Sequence, residues 1–165
     1  MPFHPTAQRL WKSLTPEERL AAATHFWKEP PAEVAGTALA VLVKARHLRP
    51  QAARALEPEA QARILATVLE PGEPLASALL VAIHLGERRP ILAAFLDALG
   101  LPHEDGLMKP ETETEPPPAL DQDAAREAIS ALAAFPRHQV TTYLNTLWLQ
   151  EPERFGILEK AAEAS

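Results

Sequence analysis

The chain nearly repeats itself, and this constrains its fold more than any other feature. Residues 31–56 read PAEVAGTALAVLVKARHLRPQAARAL, and residues 71–96 read PGEPLASALLVAIHLGERRPILAAFL. Aligned without a gap at an offset of forty, they are identical at nine of twenty-six positions, among them Glu33/Glu73, Val41/Val81, Arg49/Arg89, Pro50/Pro90 and Leu56/Leu96. A fixed period of about forty residues is the mark that stacked helical arrays leave in a sequence. Nothing alternates with period two over a strand's length, aromatics make up only 5%, and Ala and Leu, both strong helix formers, dominate the apolar share. The expectation is an all-α fold of nine or ten helices, stacked as a short, irregular, right-handed array of hairpins.

Each unit of the repeat reads as three helices. The first opens at Leu14-Thr15-Pro16-Glu17 and again at Leu56-Glu57-Pro58-Glu59. Proline at the first helical position followed by an acid suits both the backbone angle and the helix dipole. The second helix spans about 32–46 and again 73–86, and is apolar nearly all round, as expected of a buried central helix. The third starts at the pairs Arg49-Pro50 and Arg89-Pro90, the latter running on to a capping Gly100. A looser copy of the second and third helices covers 121–149, where Arg137, Leu144, Leu147 and Leu149 match Arg89, Leu96, Leu99 and Leu101 at an offset of forty-eight. A last helix opens at Glu151-Pro152-Glu153, and a short one is expected over 6–14. The 17 prolines fall mostly at these boundaries rather than inside helices.

In period and helix count the units resemble armadillo and HEAT repeats, well over 14–100 and loosely over 119–163. The resemblance is one of architecture, and it transfers no functional residues. The length and the repeat together predict one domain over 1–165, with units at 14–56 and 57–100, a partial third unit at 119–163, and a linker at 102–118. That linker reads PHEDGLMKPETETEPPP. With only Leu107 and Met108 to bury, it is expected to be extended or mobile, unless its first part packs back through those two residues.

The acidity belongs to the same stretch. Residues 101–125 hold seven acids against Lys109 alone, and so account for the whole net charge of −6. The absence of cysteine excludes disulfides, zinc–thiolate sites and thiol catalysis, and fits a reducing compartment. The first residues lack a signal-peptide pattern, and the longest apolar stretches fall far short of a membrane span. A soluble, cytoplasmic protein is expected.

Basic residues gather where the second helix of each unit meets the third. They are Arg46, His47 and Arg49, then Arg88 and Arg89, then Arg137 and His138. The acids Glu29, Glu33, Glu70 and Glu73 lie at the opposite corners. Macrodipole compensation at helix ends accounts for such a pattern and is the preferred reading. The functional alternative is a basic ridge for an acidic partner, either in trans or through the acidic linker lying back on it. Nucleic acid is disfavoured by the acidic net charge and the lack of any basic run.

A second cluster, in FLDALGLPHEDG, holds Asp97, His103, Glu104 and Asp105, with His84 on the preceding helix. Carboxylates and imidazoles can hold a divalent metal or move protons. The spacing matches no ligand motif, and a capped helix end with a polar loop is the simpler reading. His84, in the most apolar helix, reads as a core residue bonded to a carbonyl. Trp27 and Trp148 stand at helix ends, where either could anchor a partner, but the aromatics read mainly as core. No phosphate loop or nucleophile elbow occurs. The leading function is a non-enzymatic protein- or peptide-binding module without a cofactor, with an acidic partner if the basic ridge is used and with homodimer formation left open. The alternative is a small enzyme or metal-dependent module built on His84, Asp97, His103 and Asp105.

Overall fold

Ten α-helices dominate the described residues, which in this computed structural model are 5–108 and 119–163. They are α1 (Ala7–Ser13), α2 (Pro16–Lys28), α3 (Ala32–Arg46), α4 (Pro50–Ala55), α5 (Pro58–Thr67), α6 (Glu73–Glu87), α7 (Arg89–Ala98), α8 (Gln122–Ala131), α9 (Arg137–Gln150) and α10 (Pro152–Glu163). Two short strands, β1 (His103–Glu104) and β2 (Leu107–Met108), form an antiparallel hairpin. The prolines sit as the sequence placed them, in the first turn of α2, α4, α5 and α7. Thr15 and Glu18 form a reciprocal capping box at the start of α2. No helix among the described residues is long and apolar enough to cross a membrane.

Backbone contacts divide the chain into two compact units, Met1–Glu87 and Arg88–Ser165. The division falls between α6 and α7, inside the second sequence unit.

In the first compact unit α2 packs against α5 and α6, α1 against α6, and α3 against α4, α5 and α6. Helix α6 is central and buries Leu75, Ala76, Leu79, Leu80, Ala82, Ile83 and His84. Helix α3 differs from the expectation of a second buried helix. It buries only Val34, Ala38 and Leu42, and leaves Gly36, Thr37, Ala40 and Lys44 exposed. Apart from Lys44, its exposed flank is made of Gly36, Thr37 and Ala40, small residues that gain little from burial. Trp11 is fully buried and its indole N–H donates to the Val68 carbonyl at 2.8 Å. Glu73, in the first turn of α6, serves another helix. Its carboxylate accepts the N–H groups of Ala7 and Gln8 at 2.9 and 3.2 Å, while the Gln8 amide oxygen accepts the Gly72 N–H at 2.8 Å. The start of α1 is thus capped by an acid far away in sequence, which answers its first-turn donors and its dipole together.

In the second compact unit α8 packs against α7 and α10, and α9 against α10. Phe95 of α7 joins these elements. Its ring lies edge-on to Tyr143 of α9 at 5.5 Å and tilted to Phe155 of α10 at 6.3 Å. Helix α9 turns Thr142, Tyr143 and Thr146 inward. The two threonine hydroxyls are satisfied by carbonyls one turn back, those of His138 and Thr142.

Burial pushes the Tyr143 phenol well above its ordinary value. The unfolded chain therefore loses this proton first as pH rises. The neutral phenol's share of stability is complete below about pH 10 and lost above it, by up to about 1.4 kcal/mol per pH unit. Urea melts from pH ~8 to ~11 on wild type and Tyr143→Phe are expected to diverge over that window, with the variant less sensitive to alkali. Parallel pH profiles would show that the phenol is accessible to hydroxide in the folded state.

Candidate functional site

The corner residues do not share one environment. In the first compact unit Arg46 ends α3, His47 follows it, and Arg49 caps α4. All three are exposed. His47 adopts the left-handed conformation (φ 53°), and its N–H and that of Leu48 both return to the Val43 carbonyl, closing the end of α3. Between Glu33 and Glu57 the chain has no acid, yet it carries Lys44, Arg46, His47, Arg49 and Arg54. All five are exposed, and none has an ion pair among the described residues.

In the second compact unit Arg88 is buried at the start of α7, so it presents no free edge. Arg89 approaches Asp105, Nη1 to Oδ2, at 3.3 Å. Arg137 and His138 are exposed in the first turn of α9.

These positions alter the electrostatic account. Arg46 and His47 stand at the C-terminus of α3, and Arg88 directly follows the C-terminus of α6, where a cation is stabilised by the dipole. Arg49, Arg89 and Arg137 stand at helix N-termini, where the dipole disfavours them by a few tenths of a kcal/mol. Macrodipole compensation therefore accounts for Arg46, His47 and Arg88 and fails for Arg49, Arg89 and Arg137. Arg89 is compensated by Asp105, whereas Arg49 has no such partner among the described residues.

The second cluster comes together only in part. His84 lies buried in α6, its Nδ1 2.6 Å from the Leu80 carbonyl, so that this nitrogen carries the proton and donates. His103 lies 2.7 Å through Nε2 from Asp97 Oδ1, and its Nδ1 accepts the Gly106 N–H at 3.1 Å. That acceptor role places the imidazole proton on Nε2, which donates to Asp97. Both ring nitrogens are thus engaged in holding the hairpin, leaving no lone pair for a metal or a substrate proton. Asp105 turns instead to Arg89. No group of three or more metal-competent side chains occurs among the described residues.

The cause is a tight turn. Asp105 and Gly106 both have positive φ, 51° and 81°, as a two-residue reverse turn demands. His103 is thereby set opposite Met108, and Glu104 opposite Leu107. A Cβ on Gly106 would lie 2.7 Å from the Arg89 carbonyl oxygen, so only glycine allows the hairpin to sit on α7. The start of the expected linker is therefore ordered. It docks through Gly106, which is buried, and not through Leu107, which is 37% exposed. The rest of that linker, 109–118, lies outside the described residues.

One feature of the first compact unit escaped the sequence reading. Between α2 and α5 lies an open depression of about 550 Å³, floored by Pro16, Leu20, Ala66 and Leu69 and flanked by Arg19 and Arg63. Leu20 and Leu69 are 40% and 38% exposed, the highest values for large apolar side chains among the described residues. Leu20 lies in the second turn of α2 and Leu69 just past the end of α5, and no sequence pattern links them. Trp27 is half-buried, and its indole nitrogen is enclosed without a hydrogen-bond partner among the described residues. Trp148 is also half-buried. Comparison with protein-family models, with curated proteins and with solved structures found no match to this chain.

Proposed function

We propose that this chain is a non-enzymatic binding module, a short array of stacked helical hairpins that takes an acidic protein or peptide at the corner between α3 and α4. The observation that carries the reading is the state of that corner. Lys44, Arg46, His47, Arg49 and Arg54 are exposed together, with no acid between Glu33 and Glu57 and no ion pair among the described residues. Arg49 is held at a helix start against the dipole, a cost that a bound carboxylate removes. Arginine suits a planar carboxylate because its guanidinium donates in a fork. A protein partner is favoured over nucleic acid because the chain as a whole is acidic and repels a long polyanion.

The recurrence of helices supports the repeat architecture. Helices α2, α3 and α4 are followed by α5, α6 and α7 in the same order, and the counterparts α2/α5 and α3/α6 pack against each other. Arrays of this kind present extended surfaces to partners, an argument by analogy of fold. A cytoplasmic setting agrees with the absence of cysteine.

The test is a pull-down with the whole chain as bait, wild type beside Arg46→Glu/Arg49→Glu, read by mass spectrometry. Both substitutions are at exposed positions, so an unchanged melting temperature is expected. The expected result is a partner retained by wild type and lost by the variant. An identical set of captured proteins from two equally stable baits would remove the corner from consideration, and a self-association lost in the variant would make a second copy the partner.

A further inference from the structure

We infer that the depression between α2 and α5 seats a large apolar side chain of an acidic peptide, with a neighbouring carboxylate of that peptide held by Arg19 and Arg63. The inference rests on the reading of the chain as a peptide-binding module and names a site and a ligand chemistry for it. Of the residues that line the depression, two are cationic and none is acidic, in a chain whose net charge is −6. Its floor holds the two most exposed large apolar side chains among the described residues. Exposed leucines gathered in a concavity gain by covering, at roughly 25 cal/mol per Å² of apolar surface removed from water.

The two arginines differ in a way that suits them to one ligand. Arg19 is already ordered: Nε donates to the Ala66 carbonyl at 3.2 Å, and Nη1 donates to the carbonyls of Leu14 and Lys12. Those acceptors are neutral, so the guanidinium charge has no carboxylate against it among the described residues, and Nη2 makes no hydrogen bond there. Holding the group in place beforehand spares a ligand the entropy of ordering it. Arg63 has only a loose contact with Glu59, at 3.7 Å between side chains 69% and 84% exposed, and such a pair yields readily to a better acceptor. A rigid cation, a movable cation and an apolar floor together describe a pocket for a Leu-, Ile- or Phe-bearing segment with Asp or Glu beside that residue. Nucleic acid offers the charge but no aliphatic group for the floor. A basic or neutral peptide offers the apolar group but leaves both guanidiniums without an acceptor.

The experiment selects a random-peptide display library on the intact chain and measures fluorescein-labelled winners by anisotropy against wild type, Leu69→Glu, Arg63→Glu and Arg46→Glu/Arg49→Glu. Arg19 is left intact, because its backbone contacts also support the fold. Leu69 and Arg63 are exposed, and melting curves of their variants are expected to match wild type. The expected winners carry an acid beside a large apolar residue. They lose about tenfold or more in affinity with either Leu69→Glu or Arg63→Glu, and bind more weakly as salt rises. Winners without acids, or winners weakened by Leu69→Glu but indifferent to Arg63→Glu, overturn the assigned chemistry. Acidic winners that respond only to the Arg46→Glu/Arg49→Glu variant overturn the depression as the site and leave the proposed function standing. A library that yields no specific binder overturns both.

Discussion

Trp11→Ala is expected to cost about 3–5 kcal/mol. Trp11 is fully buried in a core shared by α1 and α6, where removal of the indole leaves a cavity that rigid helices cannot close. The substitution also deletes the N–H that donates to the Val68 carbonyl at 2.8 Å, at the end of α5. Trp11→Phe separates the two contributions. It keeps most of the apolar volume and loses the hydrogen bond, and should cost about 1–2 kcal/mol less than the full truncation. Denaturant melts with amide exchange read by mass spectrometry would check both. The loss of protection is expected within residues 7–87, the compact unit that holds Trp11. A Trp11→Ala protein within about 1 kcal/mol of wild type would mean that α1 is dispensable to that unit.

Phe95→Ala is expected to cost a similar amount, about 3–5 kcal/mol, in the other compact unit. The ring is 2% exposed and touches Tyr143 and Phe155, so it ties α7 to both α9 and α10. Edge-to-face geometry adds about 0.5–1.5 kcal/mol to the burial of the rings. Phe95→Leu, which keeps the apolar volume but not the ring edge, should retain most of the stability. Because the rings touch, Phe95→Ala and Phe155→Ala are expected to be non-additive by about 0.5–3 kcal/mol in a double-mutant cycle. Strict additivity would show that Phe155 is held by other neighbours, among them Arg154, whose guanidinium lies 5.0 Å from its ring centre. Amide exchange should locate the loss within residues 88–163.

The candidate sites show how differently local and long-range physics enter a sequence. The Asp105-Gly106 pair is a strong hairpin signal by itself, because both residues tolerate positive φ. Weighing that pair alone would have placed the hairpin inside the expected linker. Nothing local, by contrast, announces that His103 spends both ring nitrogens on Asp97 and Gly106, or that Arg89 reaches Asp105. Nor does the repeat foretell that Arg49 is exposed while its counterpart, Arg89, is half-buried.

The amino-acid sequence alone determined that the chain is helical, and very nearly where each helix starts. Proline geometry, capping residues and the apolar period act within one or two turns, and α2, α3, α6 and α10 begin where those signals stand. Only the tertiary structure decided which helices are central, which acid caps which helix, and where exposed leucines meet cations. Helices α3 and α6 look alike in sequence, yet α6 is buried and α3 is half-exposed, because burial depends on which neighbours arrive from elsewhere in the chain. Glu73 caps α1 across more than sixty residues, and the α2–α5 depression joins side chains about fifty apart. Such pairings depend on how helices pack, and side-chain burial is not written in the order of residues along any one of them.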